Sequence, residues 1–191
     1  MADKLTALLN GPSETLAPRL LGCRLVRVID GQAVSGRIVE TEAYNQADAA
    51  SHSYRGETER TRVMFGPPGF LYVYFTYGMH YCCNVVTGPT GYGSAVLIRA
   101  LEPLGGEPIM RENRPGLSGE TLTNGPAKLC QALAIDKRLN GHDLRTEPLK
   151  LFIEPALPPA DIVQTTRIGI SQAQDQPWRF YIKGNPYVSK P

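Results

Sequence analysis

Turn-forming residues set the first limit on this fold. With 19 Gly and 16 Pro spread through 191 residues, the chain must turn often, which argues against an all-helical bundle. Hydrophobic residues at 42% and charged residues at 20% belong to a folded chain and not a disordered one. The length corresponds to about one and a third typical domains, so one domain over residues 1–191 is expected. The formal charge of +2 comes from 20 Lys and Arg against 18 Asp and Glu. It excludes an acidic chaperone-like tail and falls short of a strongly basic nucleic-acid binder, so net charge leaves the partner open.

Cys23, Cys82, Cys83 and Cys130 show neither CxxC spacing nor a nearby His pair, so no zinc site and no metal cofactor is expected. The first residues lack the apolar core of a secretion signal, and no stretch approaches the roughly 18 apolar residues of a membrane span. The expectation is a protein of the cytoplasm, with free thiols and no membrane partner.

Along the chain, Leu16 to Leu21 reads as a short helix with Pro18 in its first turn and Gly22 closing it. The period then changes to two. Cys23 to Ile29 alternates as a strand, Asp30-Gly31 signals a hairpin, and Ala33 to Tyr44 is the returning strand. Residues 45–69 are polar and irregular and read as a long loop that orders on its partner. Phe70 to Phe75 and Tyr81 to Thr87 form a hairpin with an aromatic tip. Ser94 to Leu101 is apolar on both faces and reads as a buried strand. Residues 105–122 read as another loop. A capping residue and an early Pro in 123–129 announce a helix to about Ile135. Thr166 to Ile170 and Arg179 to Lys183 read as closing strands. The expected fold is α+β: a single domain on a curved, mostly antiparallel sheet, with short peripheral helices and a protruding β-hairpin.

Three constellations could carry chemistry. Alternation on a strand places Glu40, Glu42 and Tyr44 on one face and Val39, Thr41 and Ala43 on the other; that acidic face is either a site or an ordinary solvated surface. The stretch from Phe70 to Tyr81 holds Tyr72, Tyr74, Tyr77 and Tyr81. Gly78 lets the backbone present Tyr77 at an edge, where its ring could enter a stack of bases; the alternative is an aromatic pair packing the core. Arg99 lies in a strand apolar on both sides, where a guanidinium is costly without a partner. Glu42 and Glu102 are its candidates. Arg55, Arg60 and Arg62 in the long loop and Lys128 at the start of its helix could meet phosphates; an exposed Lys on a helix surface is the plain alternative for Lys128. His142, beside Asn140-Gly141, reads as exposed and without a catalytic role. Cys82 and Cys83 read as packing residues on opposite faces.

The spelling itself carries more. Gly36 to Tyr44, His52-Ser53, Leu71 to Tyr74, Tyr77-Gly78-Met79 with Asn84, Leu97 to Pro103, Asn124 to Leu133, and Arg179-Phe180-Tyr181 with Pro186 and Val188 resemble, in order, the alkyladenine (3-methyladenine) family of DNA glycosylases. The resemblance runs from about Leu16 to Ser189. It implies a monofunctional glycosylase that cleaves the N-glycosidic bond of alkylated or deaminated purines in duplex DNA, without metal or organic cofactor. A monomer is expected, and the short start without a leader favours a bacterial cytoplasm over an organelle. By similarity Tyr77 is the wedge that fills the gap left by a flipped base, with Met79 and His80 beside it in the minor groove. The base would sit between Tyr44 on one side and His52 and Tyr74 on the other, where electron-rich rings favour a cation by roughly 0.5–2 kcal/mol. Glu42 matches the general base for the attacking water, Arg99 the residue that positions it, and Asn84 the side chain that crowds the 2-amino group of guanine. Two departures stand out: residues 45–51 differ from the Gly-Pro-Glu-Asp-like stretch of many relatives, and His80 stands where some carry Tyr. A base-flipping binding module that does not cut and a purely structural β domain are the alternatives from other classes.

Overall fold

The computed structural model describes residues 4–76 and 78–190. Two short helices, α1 (Lys4–Leu9) and α2 (Ser13–Arg19), precede strands β1 (Arg24–Ile29), β2 (Gln32–Asn45), β3 (Leu71–Thr76), β4 (His80–Val86) and β5 (Ser94–Gly105). Helices α3 (Glu107–Asn113) and α4 (Pro126–Ala132) follow, then β6 (Leu149–Phe152), β7 (Ile162–Thr165) and β8 (Arg179–Ile182). The sheet runs β3-β4-β5-β2-β1-β6, with β8 joined to β2 and β7 joined to β8. All these pairs are antiparallel. The fold is the expected α+β domain on a curled sheet with few short helices.

Strand β2 organises the molecule. Asp30 and Gly31 both take positive φ, 47° and 77°, the geometry a two-residue hairpin needs to match strand twist. Early residues of β2 pair with β1, while Glu40, Thr41 and Glu42 pair with Tyr181, Phe180 and Arg179 of β8. At this change of neighbour the ladder to β5 shifts register twice, around Val39 and around Arg99, which has no residue of β2 opposite it. Such irregularities bend a strand and re-aim side chains. From Glu40 to Tyr44 the alternation then holds. Ala43 enters the main core, the Thr41 hydroxyl donates to the Ala17 carbonyl of α2 at 2.8 Å, and Glu40 and Glu42 face away from that helix toward Arg99.

The main core fills the space between one sheet face and the helices, with Leu20, Leu25, Ile38, Ile98, Leu101 and Leu129 fully buried. Each such side chain is worth about 1.5–3 kcal/mol. A smaller cluster of Met64, Phe65, Tyr72, Val86 and Ala95 anchors the 3-10 turn Arg62–Phe65. Residues 45–69 make hydrogen bonds to the rest of the protein. The Gln46 amide oxygen accepts from Gly93 N–H at 3.2 Å, and the Ser53 hydroxyl donates to the Gly93 carbonyl at 2.9 Å. Gly93 is required there, because a Cβ would stand 2.5 Å from Ser53 Cβ.

Five local expectations need correction. The early helix spans Ser13–Arg19, so Pro18 sits in its last turn, where losing one N–H ends the helix instead of breaking it. Residues 105–122 contain α3 and the turn Gly119–Leu122, because Met110 and Leu122 are drawn into the core. Neither Thr123 nor Asn124 caps α4, which ends at Ala132; the Asn124 side-chain oxygen accepts from Lys128 Nζ at 2.7 Å and Gly125 holds the cap position. Residues 166–170 are not a strand, since β7 ends at Thr165 and Arg167 turns inward. His142 is half-buried, with Nε2 2.9 Å from the Leu149 carbonyl.

Candidate active site

Glu42 is fully buried on β2 and is held by three donors from three places in the chain. Oε1 accepts from the Ile168 backbone N–H at 2.8 Å, and Oε2 accepts from the Tyr44 hydroxyl at 2.8 Å. Oε2 also meets Arg99 Nη1 at 3.2 Å. The solvated-face alternative is therefore overturned for both carboxylates, because Glu40 is equally buried. Of the two partners expected for Arg99, Glu42 is one. Glu102 is not, being engaged with Arg37. Glu40 takes the second place, 3.0 Å from Arg99 Nε, and also accepts from Arg179 Nε at 2.7 Å. Burial opposes the charge of Arg99, but Glu42 and Glu40 together hold its pKa above the ordinary value.

Glu42 opens onto a cavity of about 520 Å³, ample for a purine-sized ligand. One wall is aromatic. The His52 ring stands edge-on to Tyr74 with centroids 4.6 Å apart, and Tyr74 stacks on Tyr72 at 5.7 Å. His52 Nδ1 lies 3.0 Å from the Tyr72 hydroxyl. Tyr44, Asn84, Cys82 and Arg99 complete the polar lining, and residues 168–172 close the far side. The Asn84 amide donates to the Tyr72 carbonyl at 3.2 Å. Burial raises the pKa of Tyr74, with Cys82 adding to it, and raises that of Tyr44, with Glu42 adding to it, so both phenols remain protonated. The Cys82 thiol is pushed up to about 11, mainly by burial.

His52 reaches solvent at the cavity mouth, yet loss of hydration and then the charge of Arg60 pull its pKa down to about 4 from 6.5. Its ring is therefore neutral at pH 7. Between those two values the unfolded chain binds more protons than the folded one, so this group favours the folded state above pH 6.5 and loses that contribution as pH falls through 4. A proton NMR titration of His52 should give a midpoint near 4; a midpoint at the ordinary value would contradict the packing described.

The remaining expected residues sort by position. Met79 is exposed and His80 half-buried at the end of the β3–β4 hairpin, while Tyr77 lies outside the described residues. Arg60 leans over Tyr74 at 5.9 Å and so stands at the cavity rim. Arg55 is exposed, and Arg62 is exposed beside Glu57 at 3.6 Å. Lys128 is partly buried on Asn124. Among the described residues, no three His, Cys, Asp or Glu side chains converge as a metal site would need.

Sequence reasoning missed a second arginine layer behind the cavity. Arg167 is fully buried and paired with both carboxylate oxygens of Asp48, Nη2 to Oδ1 at 3.0 Å, and donates to the Ala43 carbonyl at 2.9 Å. Its guanidinium covers the Tyr44 ring at 4.6 Å and Trp178 at 5.2 Å. The pair joins the segment leading to His52 to the segment carrying Ile168. No local spacing announces it.

A family model described as methylpurine-DNA glycosylase matches residues 7–186. The chain belongs to the methylpurine-DNA glycosylase family. Among curated proteins of the same kind, one from Carboxydothermus hydrogenoformans is 59% identical over 177 residues, covering 92% of each chain. One from Methanoculleus marisnigri is 53% identical over 179 residues, covering 92% of this chain and 93% of its own. One from Nitrosospira multiformis is 49% identical over 183 residues, covering 95% and 91%. All three carry the name "Putative 3-methyladenine DNA glycosylase". The methylpurine-DNA glycosylase match includes every element that supplies Glu42, Arg99 and the aromatic wall.

Proposed function

We propose that this chain is a monofunctional DNA glycosylase that flips alkylated or deaminated purines out of duplex DNA, hydrolyses their N-glycosidic bond and leaves an abasic site. The observation that carries the reading is Glu42: a carboxylate fixed by three donors at the floor of an aromatic cavity. Family membership and the names of the relatives support the same class.

In this reading the base enters between Tyr44 and the His52–Tyr74 wall. A water beside Glu42 gives its proton to the carboxylate as its oxygen bonds to C1′, and the electron pair of the N-glycosidic bond leaves with the base. A cationic 3-methyladenine or 7-methylguanine departs neutral and needs no acid. The negative charge of Glu42 also stabilises the oxocarbenium-like transition state, and Arg99 orients carboxylate and water together. Asn84 rejects guanine by crowding its 2-amino group. Tyr77 fills the vacated stack, with Met79 and His80 in the minor groove, and Arg55, Arg60, Arg62 and Lys128 meet phosphates, so affinity falls with salt. The chain works as a monomer in a bacterial cytoplasm; no helix among the described residues is long and apolar enough to cross a membrane.

Duplexes each carrying one 3-methyladenine, 7-methylguanine, hypoxanthine or unmodified guanine, followed by chromatography of the free base, test the reading. Release of the methylated purines and retention of guanine are expected. Binding without release of any of them would make the protein a base-flipping module.

A further inference from the structure

Glu40 lies outside the cavity lining and cannot touch a bound base, yet it is among the most heavily hydrogen-bonded side chains of the protein. Its Oε1 accepts from Arg99 Nε at 3.0 Å, Arg179 Nε at 2.7 Å and the Ser189 hydroxyl at 2.9 Å. Its Oε2 accepts from the Ser189 backbone N–H at 2.7 Å. Arg99 Nη2 in turn lies 3.4 Å from the Ser189 hydroxyl, and Arg179 donates to the Lys190 carbonyl. The end of the chain thus closes over the back of the ion network.

We propose that Glu40, clasped by Ser189, is the positioning residue that aims Arg99 at Glu42 and balances the charge under which Glu42 takes its proton. The inference rests on Glu42 being the base. A guanidinium is a planar fork whose nitrogens point in fixed directions. With Nε committed to Glu40 and Nη2 to Ser189, Nη1 has one direction left, and Glu42 stands in it at 3.2 Å. The strand ladder cannot supply that aim, because the register shift leaves Arg99 without a partner residue on β2.

Charge balance gives the second half. Two carboxylates, Glu40 and Glu42, share two guanidiniums, Arg99 and Arg179. Facing Glu42 are Tyr44 and Glu40 on its own strand, Arg99 on β5, Arg179 paired with it on β8, Cys82 on β4, and Arg167 behind Tyr44. Neutralising Glu40 leaves that group one charge more positive and makes Glu42 harder to protonate; neutralising Arg179 does the reverse.

The test is single-turnover release from a duplex carrying one 7-methylguanine, followed across pH in the full chain. Glu40→Gln should slow release about 10–100-fold with lesion affinity held within about twofold, and move the acid limb down by about one pH unit. Arg179→Met should move that limb up. Ser189→Ala, which removes one hydroxyl from a half-buried position and keeps the backbone N–H on Glu40, should slow release about 3–10-fold and leave the limb in place. A wild-type rate in both Glu40→Gln and Ser189→Ala overturns the proposal, as does a limb that stays fixed in Glu40→Gln and Arg179→Met. Should Glu40→Gln fail to fold, the other two variants decide. Failure of the reading beneath it has a different signature: no base release by the wild type, or full release by Glu42→Gln.

Discussion

Replacing Asp48 with alanine is expected to lower the unfolding free energy by about 3–5 kcal/mol, because one member of a buried ion pair is removed and the other is stranded. Arg167 would remain fully buried with backbone carbonyls as its main acceptors, Ala43 at 2.9 Å and Ala173 at 3.3 Å. For a chain of this size the loss corresponds to a fall in melting midpoint of about 6–20 °C. Removing both charges, Asp48→Ala with Arg167→Met, should recover part of the loss, since the stranded charge is gone. Thermal unfolding of the two variants checks this; a shift under about 2 °C in the single variant would mean that the pair is hydrated. The functional reach is larger than the stability effect. Arg167 backs the Tyr44 ring and lies next to Ile168, whose N–H holds Glu42, so the same pair braces both sides of the cavity.

The difference between what could be read in the sequence and what could not follows from the range of the interactions. Asp30-Gly31 announces its hairpin because the turn chemistry is local, and the strand on either side runs as expected. The common face of Glu40 and Glu42 was legible from a period of two, but whether that face met solvent or Arg99 was not. Arg99 had two candidate partners, and the one that sequence adjacency favoured, Glu102, went to Arg37 across the β2–β5 ladder. Residues 166–170 alternate like a strand, yet Arg167 is pulled inward by Asp48, 119 positions earlier. No propensity encodes a pull over that distance. Helix α3 was missed for a related reason: Pro108 and the polar residues around it read as loop, while one buried side chain, Met110, sets the helix against the core. Within the site, the density of tyrosines singled out the β3–β4 segment, and the wall that Tyr74 forms with His52 was recoverable only through the family resemblance. The layer behind it was not, because Glu40, Arg179 and Ser189 come together only through the closing strand and the end of the chain.

The largest effect on activity is expected at Glu42 itself. Glutamine keeps the size of the side chain and can still accept from the Ile168 N–H, while the Tyr44 hydroxyl can rotate to accept from its amide. It cannot take a proton from water, and it offers no negative charge to a developing oxocarbenium ion. Loss of a positioned base is worth about 10²–10⁴-fold in rate, and lost charge stabilisation adds to that in a site shielded from solvent. Of the proposed DNA contacts, Met79 and His80 lie at the hairpin end and Arg60 at the cavity rim, and the Tyr44 ring stays packed under Arg167, so binding should survive the change. The direct measurement is therefore a paired one on a duplex with a single 7-methylguanine: dissociation constant and single-turnover base release, wild type against Glu42→Gln. Affinity within about threefold with release reduced at least about a hundredfold is the predicted result. Release by Glu42→Gln at the wild-type rate would contradict the assignment of Glu42 as the base.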